Sequence, residues 1–79
     1  MEEVKSLFVT PQVCYFKSDI KKAYIFPFTS IMSMTLTPTE KKKEFLLQIC
    51  TVTSDLFEFT IKKELVDGFE FFLHVNKKD

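Results

Sequence analysis

The chain has 79 residues, of which 46% are hydrophobic, and it contains ten Phe, two Tyr, one Gly and no Trp. This composition argues against disorder and predicts one small domain, residues 1–79, whose thin core is filled by aromatic rings. Eleven lysines balance eleven acidic residues and arginine is absent, so the chain has no net positive field to gather nucleic acid or anionic lipid.

The sequence also carries no sign of membrane insertion or export. No apolar run reaches the roughly 20 residues that a membrane span needs. The N-terminal sequence MEEVKSLFV is acidic and lacks the apolar core of a signal peptide. We therefore expect a cytoplasmic protein without a membrane span.

The N-terminal third predicts short extended segments. Residues 1–5 are charged, and we expect them to be frayed. Residues 6–16 (SLFVTPQVCYF) are extended, and Pro11 indicates either an edge strand or a break between two short strands. Residues 23–28 (AYIFPF) predict an aromatic strand that ends or bulges at Pro27, because proline has no N–H to donate to a ladder.

The middle of the chain carries the clearest strand patterns. Residues 31–37 (IMSMTLT) alternate in polarity, and a bulge or bend is expected near Ser30 because Ile31 is out of phase. Residues 45–61 (FLLQICTVTSDLFEFTI) predict a β-hairpin around the polar break at 53–55. The buried face of this hairpin is predicted to carry Phe45, Leu47 and Ile49 from the first strand, and Phe57, Phe59 and Ile61 from the second.

The C-terminal segment, residues 63–79, fits two patterns. As a helix over residues 63–76, it has one apolar stripe, with acidic residues early and lysines late. As a strand pair, it has a turn signal at Asp67-Gly68, followed by alternating apolar residues. We prefer the helix, because a small sheet alone would have no cover for its apolar face. The helical stripe consists of Leu65, Val66, Phe69, Phe72 and Leu73.

These elements together predict an α+β fold. We expect a curved antiparallel sheet of about five strands over residues 6–62, forming a partly open barrel that is packed by one C-terminal helix. The predicted core consists of Leu7, Val9, Ile25, Met34, Leu36, Leu47, Ile49, Phe57, Phe59, Ile61, Phe69, Phe72 and Leu73.

Few residues could carry chemistry. The single histidine, His74, has no acidic residue at a fixed spacing, so we expect it on the surface. Cys14 and Cys50 lie in apolar runs and are predicted to be buried free thiols. These residues match no zinc spacing, and the only glycine, Gly68, cannot form a phosphate-binding loop. The sequence therefore predicts a protein that is not an enzyme, with no metal, no cofactor and no small-molecule substrate.

The aromatic residues outnumber the positions that one sheet and one helix can cover. Some are therefore predicted either to form a second small cluster inside the fold or to form an apolar patch for a protein partner or for self-association. The candidate partner surface consists of Tyr24, Phe26, Phe28, Leu46 and Phe71.

The densest charge run is Lys41, Lys42 and Lys43, flanked by Glu40 and Glu44. A solvated loop is the simplest interpretation of this run. The alternative is a minor contact for an acidic partner or a phosphate, to which the lysine pairs at 21–22 and 62–63 would add.

The order of these features resembles small pleckstrin-homology-like (PH/GRAM-type) modules of bacteria and phages. The segments that carry the resemblance lie between residues 24 and 73: YIFPFTSI, the alternating IMSMTLT, the hairpin and the terminal helix. The chain is shorter than a seven-stranded barrel of that type, and it lacks the Trp of its C-terminal helix and a basic lipid-headgroup pocket. The resemblance therefore implies a curved sheet plugged by a helix and used as a binding module, without a lipid function.

The absence of catalytic groups and the surplus of aromatic residues predict a non-catalytic protein-interaction module, of the kind that a small phage or mobile-element protein would use to occlude a host protein. The alternative is a single-stranded nucleic-acid-binding protein in which lysines alternate with a platform of Tyr24, Phe26 and Phe28. The neutral charge and the lack of arginine make nucleic acid the less favoured partner. Binding that weakens steeply with salt would distinguish this alternative.

Overall fold

The computed structural model describes residues 1–67. Within this range the chain forms six β-strands, a short 3₁₀ turn at Phe28–Ser30, and a helix that begins at residue 63 and is described to residue 67. The strands are β1 (Val4–Val9), β2 (Val13–Ser18), β3 (Ala23–Pro27), β4 (Ile31–Pro38), β5 (Glu44–Thr51) and β6 (Leu56–Lys62). The predicted C-terminal helix is thus confirmed over residues 63–67, and its remainder lies outside the described residues.

The strands form two three-stranded antiparallel sheets, in the orders β1-β2-β3 and β4-β5-β6. The prediction of one curved sheet with about five strands is therefore wrong, although the mostly antiparallel architecture is confirmed. The division falls at Phe28–Ser30, where a 3₁₀ turn follows Pro27. There the Phe28 N–H bonds to the carbonyl of Gln12 (2.9 Å), so this backbone group is used outside a β3–β4 ladder.

A tight turn divides the first extended region. The Thr10 N–H donates to the Val13 carbonyl (2.9 Å), and the Thr10 hydroxyl accepts from the Val13 N–H (3.0 Å). Pro11 lies inside this turn, where its missing N–H is not needed by a ladder. Of the two interpretations of Pro11, the break between two short strands is therefore confirmed.

The N-terminus joins the two sheets. Glu3 forms a parallel bridge with Thr60 of β6, and the Thr60 N–H donates to the carbonyl of Glu2 (2.9 Å). On the other side, the Asp19 N–H donates to the carbonyl of Glu3 (2.9 Å). Val4 opens β1 and is only 1% exposed. The expected fraying of residues 1–5 is therefore wrong for the residues that bridge and begin the sheet.

The predicted hairpin is confirmed as β5 and β6. Leu47 pairs with Phe59 and Ile49 pairs with Phe57, so the two predicted apolar sets share one face. Ser54 takes a positive φ of 72° at the turn. A register shift between Ile31 and Ser33 in the pairing of β4 with β5 confirms the predicted irregularity near Ser30.

The core lies between the inner faces of the two sheets. Phe16 from β2 contacts Phe26 of its own sheet (ring centroids 5.7 Å apart) and Phe59 of the other (5.5 Å). The contact of Phe16 with Phe59 is edge-on, a geometry that stabilises aromatic pairs beyond the burial of their area. The buried hydrophobic residues are Val4, Cys14, Phe16, Phe26, Leu47, Ile49, Phe59, Ile61 and Val66.

The predicted core is confirmed in the hairpin and wrong in β3. Leu47, Ile49, Phe59 and Ile61 are buried, whereas Ile25 is 62% exposed. Five further predicted positions are partly buried against the core: Leu7, Val9, Met34, Leu36 and Phe57. Phe69, Phe72 and Leu73 lie outside the described residues. The helical part that is described contributes Val66, which is 2% exposed.

Candidate functional site

Three apolar side chains form a row across the outer face of the first sheet. Tyr15 of β2 pairs with Phe8 of β1 on one side and with Ile25 of β3 on the other. Phe8 is 64% exposed, Ile25 is 62% exposed and Tyr15 is half-buried between them. We call Phe8, Tyr15 and Ile25 the outer apolar row.

Strand alternation places this row outside. Cys14 and Phe16 of β2 are both fully buried, so the intervening Tyr15 must point to the opposite face. The neighbouring rung joins Val13 to Pro27, and the rung on the other side joins Lys17 to Ala23. Among the paired positions of this face, Lys17 carries the only charge.

The corresponding middle row of the second sheet is polar, although Leu56, which is 59% exposed, lies beside it on the same outer face and pairs with Cys50. Gln48 of β5 lies between Thr35 of β4 and Glu58 of β6. The Gln48 Nε2 group donates to Glu58 Oε2 (2.8 Å), and the Thr35 hydroxyl donates to Gln48 Oε1 (3.4 Å). We call Thr35, Gln48 and Glu58 the polar ladder. It is a row of polar side chains of the kind that antiparallel sheets ordinarily turn toward solvent.

The predicted partner surface is not assembled. Phe26 is buried (6% exposed), and Tyr24 and Phe28 are half-buried against the core. Leu46 is half-buried on the outer face of the second sheet, and Phe71 lies outside the described residues. The physical reason is phase: β3 turns Tyr24 and Phe26 inward and Ile25 outward. These aromatic positions therefore belong to the main core between the sheets and not to a second, separate cluster. This burial also removes the aromatic platform that was expected for nucleic acid.

Tyr24 shows how firmly this inner cluster is held. Its ring lies 5.0 Å from that of Phe59, edge-on, and its hydroxyl donates to the carboxylate of Glu2 at 2.8 Å. Burial raises the pKa of Tyr24, and the hydrogen bond and the charge of Glu2 raise it further. Tyr24 therefore links the inner face of the first sheet to the N-terminal segment.

One sequence signal could have identified the outer apolar row. Lys17 is in phase with Tyr15 and Val13 along β2, and a lysine marks the face that reaches water. If Val13, Tyr15 and Lys17 face outward, the alternation of the strand turns Cys14 and Phe16 toward the core, as observed. The pairing of Tyr15 with Phe8 and Ile25 has no such local signal, because it depends on the register between strands.

A second surface is a depression of about 410 Å³ where the β4–β5 loop meets the end of β6 and the start of the helix. Five lysines line it, namely Lys41, Lys42, Lys43, Lys62 and Lys63, together with Glu3, Glu44 and Glu64. We call it the lysine depression. The fold brings the predicted basic run at 41–43 together with the pair at 62–63, whereas the pair at 21–22 does not line it.

Backbone hydrogen bonds fix this arrangement. The N–H of Lys63, the first helical residue, donates to the carbonyl of Lys43 (2.9 Å). Lys43 itself takes the left-handed conformation, with φ of 61°. The Thr39 hydroxyl accepts from the Lys41 N–H (3.1 Å) and donates to Glu44 Oε1 (3.1 Å). The loop is therefore tied to the helix and closed on itself.

Cysteine and metal chemistry add little to these surfaces. Both cysteines are free, as predicted; Cys14 is buried, and Cys50 is half-buried rather than fully buried. Burial raises the pKa of the Cys14 thiol to about 12, which keeps it protonated and unreactive. Within residues 1–67, no three His, Cys, Asp or Glu side chains are grouped closely enough to hold a metal ion. His74 lies outside the described residues.

No family model, no curated protein and no solved structure matches the chain. The resemblance to pleckstrin-homology-like modules therefore stays a prediction. In the part of the chain that the structure describes, no helix has both the length and the apolar character to cross a membrane.

Proposed function

We propose that this chain is a non-catalytic protein-interaction module that binds an amphipathic segment of a partner protein on the outer apolar row. The observation that supports this most is the exposure of Phe8 and Ile25, 64% and 62%, side by side with Tyr15 on a regular sheet. Aromatic and aliphatic residues on a rigid face are the usual anchors of protein interfaces. A small phage or mobile-element protein that occludes a host protein remains one setting for such a module.

The dimensions of the face favour a segment over a second folded copy. Three strands place the outer two about 10 Å apart, which matches the diameter of one α-helix. Six-residue strands extend for about 20 Å, so the whole face offers about 200–300 Å², well below the roughly 800 Å² per partner of a standard interface between folded proteins. An amphipathic helix can bind such a face through anchors at i, i+3 and i+4.

Charge specifies the partner segment further. Lys17 is the only charged residue among the paired positions of this face, so no carboxylate there repels an acidic partner. We therefore expect the partner segment to carry an apolar stripe with acidic residues beside it, since complementary charge steers the encounter and fixes the orientation.

The test compares the two outer faces. A photo-crosslinking phenylalanine derivative replaces Phe8 in one variant and Thr35 of the polar ladder in a matched variant, both expressed in the native host. We expect a protein adduct from position 8 and none from position 35. The crosslinked segment is then synthesised as a peptide, and its affinity is measured for the wild type, for Phe8→Ser/Ile25→Ser and for Thr35→Ala/Glu58→Gln.

The proposal predicts that Phe8→Ser/Ile25→Ser weakens the binding of the peptide by about a hundredfold, while the polar-ladder variant binds within about twofold of the wild type. Equal binding by both variants would contradict it. If the only adducts join two copies of the chain, the outer apolar row is a self-association surface and the proposed partner segment is wrong. Oligonucleotide binding at low salt that depends on Phe8 would instead favour the nucleic-acid alternative.

A further inference from the structure

We propose that the lysine depression is a binding site for a ligand that carries several adjacent phosphate groups. This site is separate from the outer apolar row and does not depend on it. The depression encloses about 410 Å³, which lies within the usual range for small-ligand sites. Its lining is entirely charged, with five lysines against three glutamates, which leaves a formal charge of +2.

The lysines of the loop are available to a ligand. In residues 1–67, no salt bridge involves Lys41, Lys42 or Lys43. The acidic residues are partly engaged already: Glu3 forms ion pairs with Lys62 (3.7 Å) and Lys5 (3.6 Å). Glu44 accepts a hydrogen bond from the hydroxyl of Thr39 (3.1 Å). Lys63 is paired with Asp67 (3.3 Å). Within residues 1–67, Glu44 and Glu64 form no ion pair, so the unpaired charges of the lining are the three lysines of the loop against these two carboxylates, which leaves a net positive charge.

The backbone holds these lysines together before any ligand arrives. Three ammonium groups on consecutive residues repel one another, and a free loop would relieve that repulsion by extending. Here the loop is closed by Thr39 and is anchored to the helix through the Lys43 carbonyl and the Lys63 N–H (2.9 Å). A polyanion that neutralises the cluster thus meets lysines whose backbone is already ordered, which favours binding.

Residue chemistry selects the class of ligand. Lysine holds a phosphate as a compact point charge, without the planar fork by which arginine recognises a carboxylate or a base edge. No aromatic or aliphatic residue of the described chain lines the depression, so nothing there can stack on a nucleobase. We therefore expect recognition of adjacent phosphates themselves, with little preference for what they are attached to.

The experiment is a calorimetric titration of the full chain with sodium tripolyphosphate at low salt, repeated with adenosine triphosphate and with inorganic phosphate. We expect tripolyphosphate to bind at least about tenfold more tightly than inorganic phosphate, because several charges act together. Adenosine triphosphate should bind no more tightly than tripolyphosphate. Raising the salt to about 150 mM should weaken the binding of both tripolyphosphate and adenosine triphosphate, since these lysine charges are solvent-exposed.

Two lysine pairs provide a matched comparison. Lys41→Gln/Lys42→Gln should weaken tripolyphosphate binding by about tenfold, whereas Lys21→Gln/Lys22→Gln removes the same charge elsewhere and should change the affinity by less than about twofold. In the wild type, the ligand should shift the amide resonances of Lys43 and Lys63, which checks the location without any substitution.

Vesicles that contain a phosphoinositide distinguish a membrane source from a soluble one. Binding of tripolyphosphate without binding of vesicles assigns a soluble ligand, and vesicle binding that is lost in Lys41→Gln/Lys42→Gln assigns a lipid headgroup. Equal losses in the two lysine variants would mean that total charge alone is responsible and would overturn the site. Absence of binding to tripolyphosphate and to vesicles would overturn it as well.

Discussion

The outer face of the first sheet carries Phe8, Tyr15 and Ile25 in its middle row, whereas the same row of the second sheet carries Thr35, Gln48 and Glu58. The inner faces of the two sheets are alike, because both are apolar and they pack on each other through Phe16 and Phe59. The requirements of the core therefore do not explain the difference outside.

The contrast separates residues that fold the chain from residues that the fold only displays. The polar ladder suits an outward face, since its side chains bond to one another and Thr35 and Glu58 are exposed to solvent. The outer apolar row leaves two large hydrophobic side chains more than half exposed, and Lys17 is the only charged residue among the paired positions of that face. This exposure is the observation on which the proposed binding of a partner segment rests.

The largest expected effect is on the free energy of unfolding, when a buried phenylalanine and an exposed one are each replaced by alanine. Phe59→Ala should lower the free energy of unfolding by about 3–5 kcal/mol, because it empties the contact of Phe59 with Phe16 and Tyr24. Phe8→Ala, the same substitution at a position 64% exposed, should change it by less than about 1 kcal/mol. Urea unfolding followed by circular dichroism measures both.

For a domain of this size, Phe59→Ala could leave no folded state, so Phe59→Leu provides a milder variant with an expected loss of about 1–2 kcal/mol. If Phe8→Ala destabilised the chain as strongly as Phe59→Ala, the outer apolar row would be buried in solution and the contrast between the two faces would be wrong.

The next effect is on the rate of thiol modification, which should differ between the buried Cys14 and Cys50 on an outer face. At pH 8, a thiol reagent should modify Cys50 at least about a hundredfold faster than Cys14 in the folded chain, because only the thiolate reacts and Cys14 is fully buried. Variants Cys14→Ala and Cys50→Ser allow each rate to be followed alone. Rapid labelling of Cys14 in native conditions would show that the two sheets separate readily.

Cys14 should also make the stability of the folded chain depend on pH. Burial raises the pKa of Cys14 from 9.0 to about 12, so the folded chain retains the proton that the unfolded chain releases. The corresponding stability is complete below about pH 9 and is lost as the pH rises toward about 12. Wild type and Cys14→Ala should therefore differ less in stability at about pH 10.5 than at about pH 8.

The smallest expected effect concerns the polar ladder. Gln48→Ala removes the hydrogen bond from Gln48 Nε2 to Glu58 (2.8 Å) and should cost about 0.5–1.5 kcal/mol, because both groups can return to water. Thr37→Ala, an exposed position on the same strand as Thr35, provides the control. A loss above about 3 kcal/mol for Gln48→Ala would mean that the polar ladder is structural rather than merely solvated.

The outcome for individual residues shows where local pattern is sufficient. In the hairpin, the alternation places Leu47 and Phe59 correctly, because strands joined by one short turn have little freedom of register. In β3, the sequence predicts Ile25 in the core and Phe26 on the surface, and the structure reverses both. Apolar residues occupy both phases of that strand, so its pattern contains no information about which face is inside.

The candidate sites likewise combine features that are visible in the sequence with features that depend on the tertiary structure. The run at Lys41, Lys42 and Lys43 is evident in the sequence, but its meeting with Lys62 and Lys63 depends on the hydrogen bond that anchors the β4–β5 loop to the helix. The outer apolar row draws one residue from each of three strands, and only their register brings these together.

The sequence by itself determined that the chain is mostly antiparallel sheet with an aromatic core, that its hairpin spans β5 and β6, and that helix follows. These are local properties, set by alternation, turn residues and side-chain volume. Only the tertiary structure decided that the strands divide into two sheets, that Glu3 joins them, and that Phe8 and Ile25 face outward. Those features depend on pairing between distant segments, where the contacts of one strand fix the exposed face of the next.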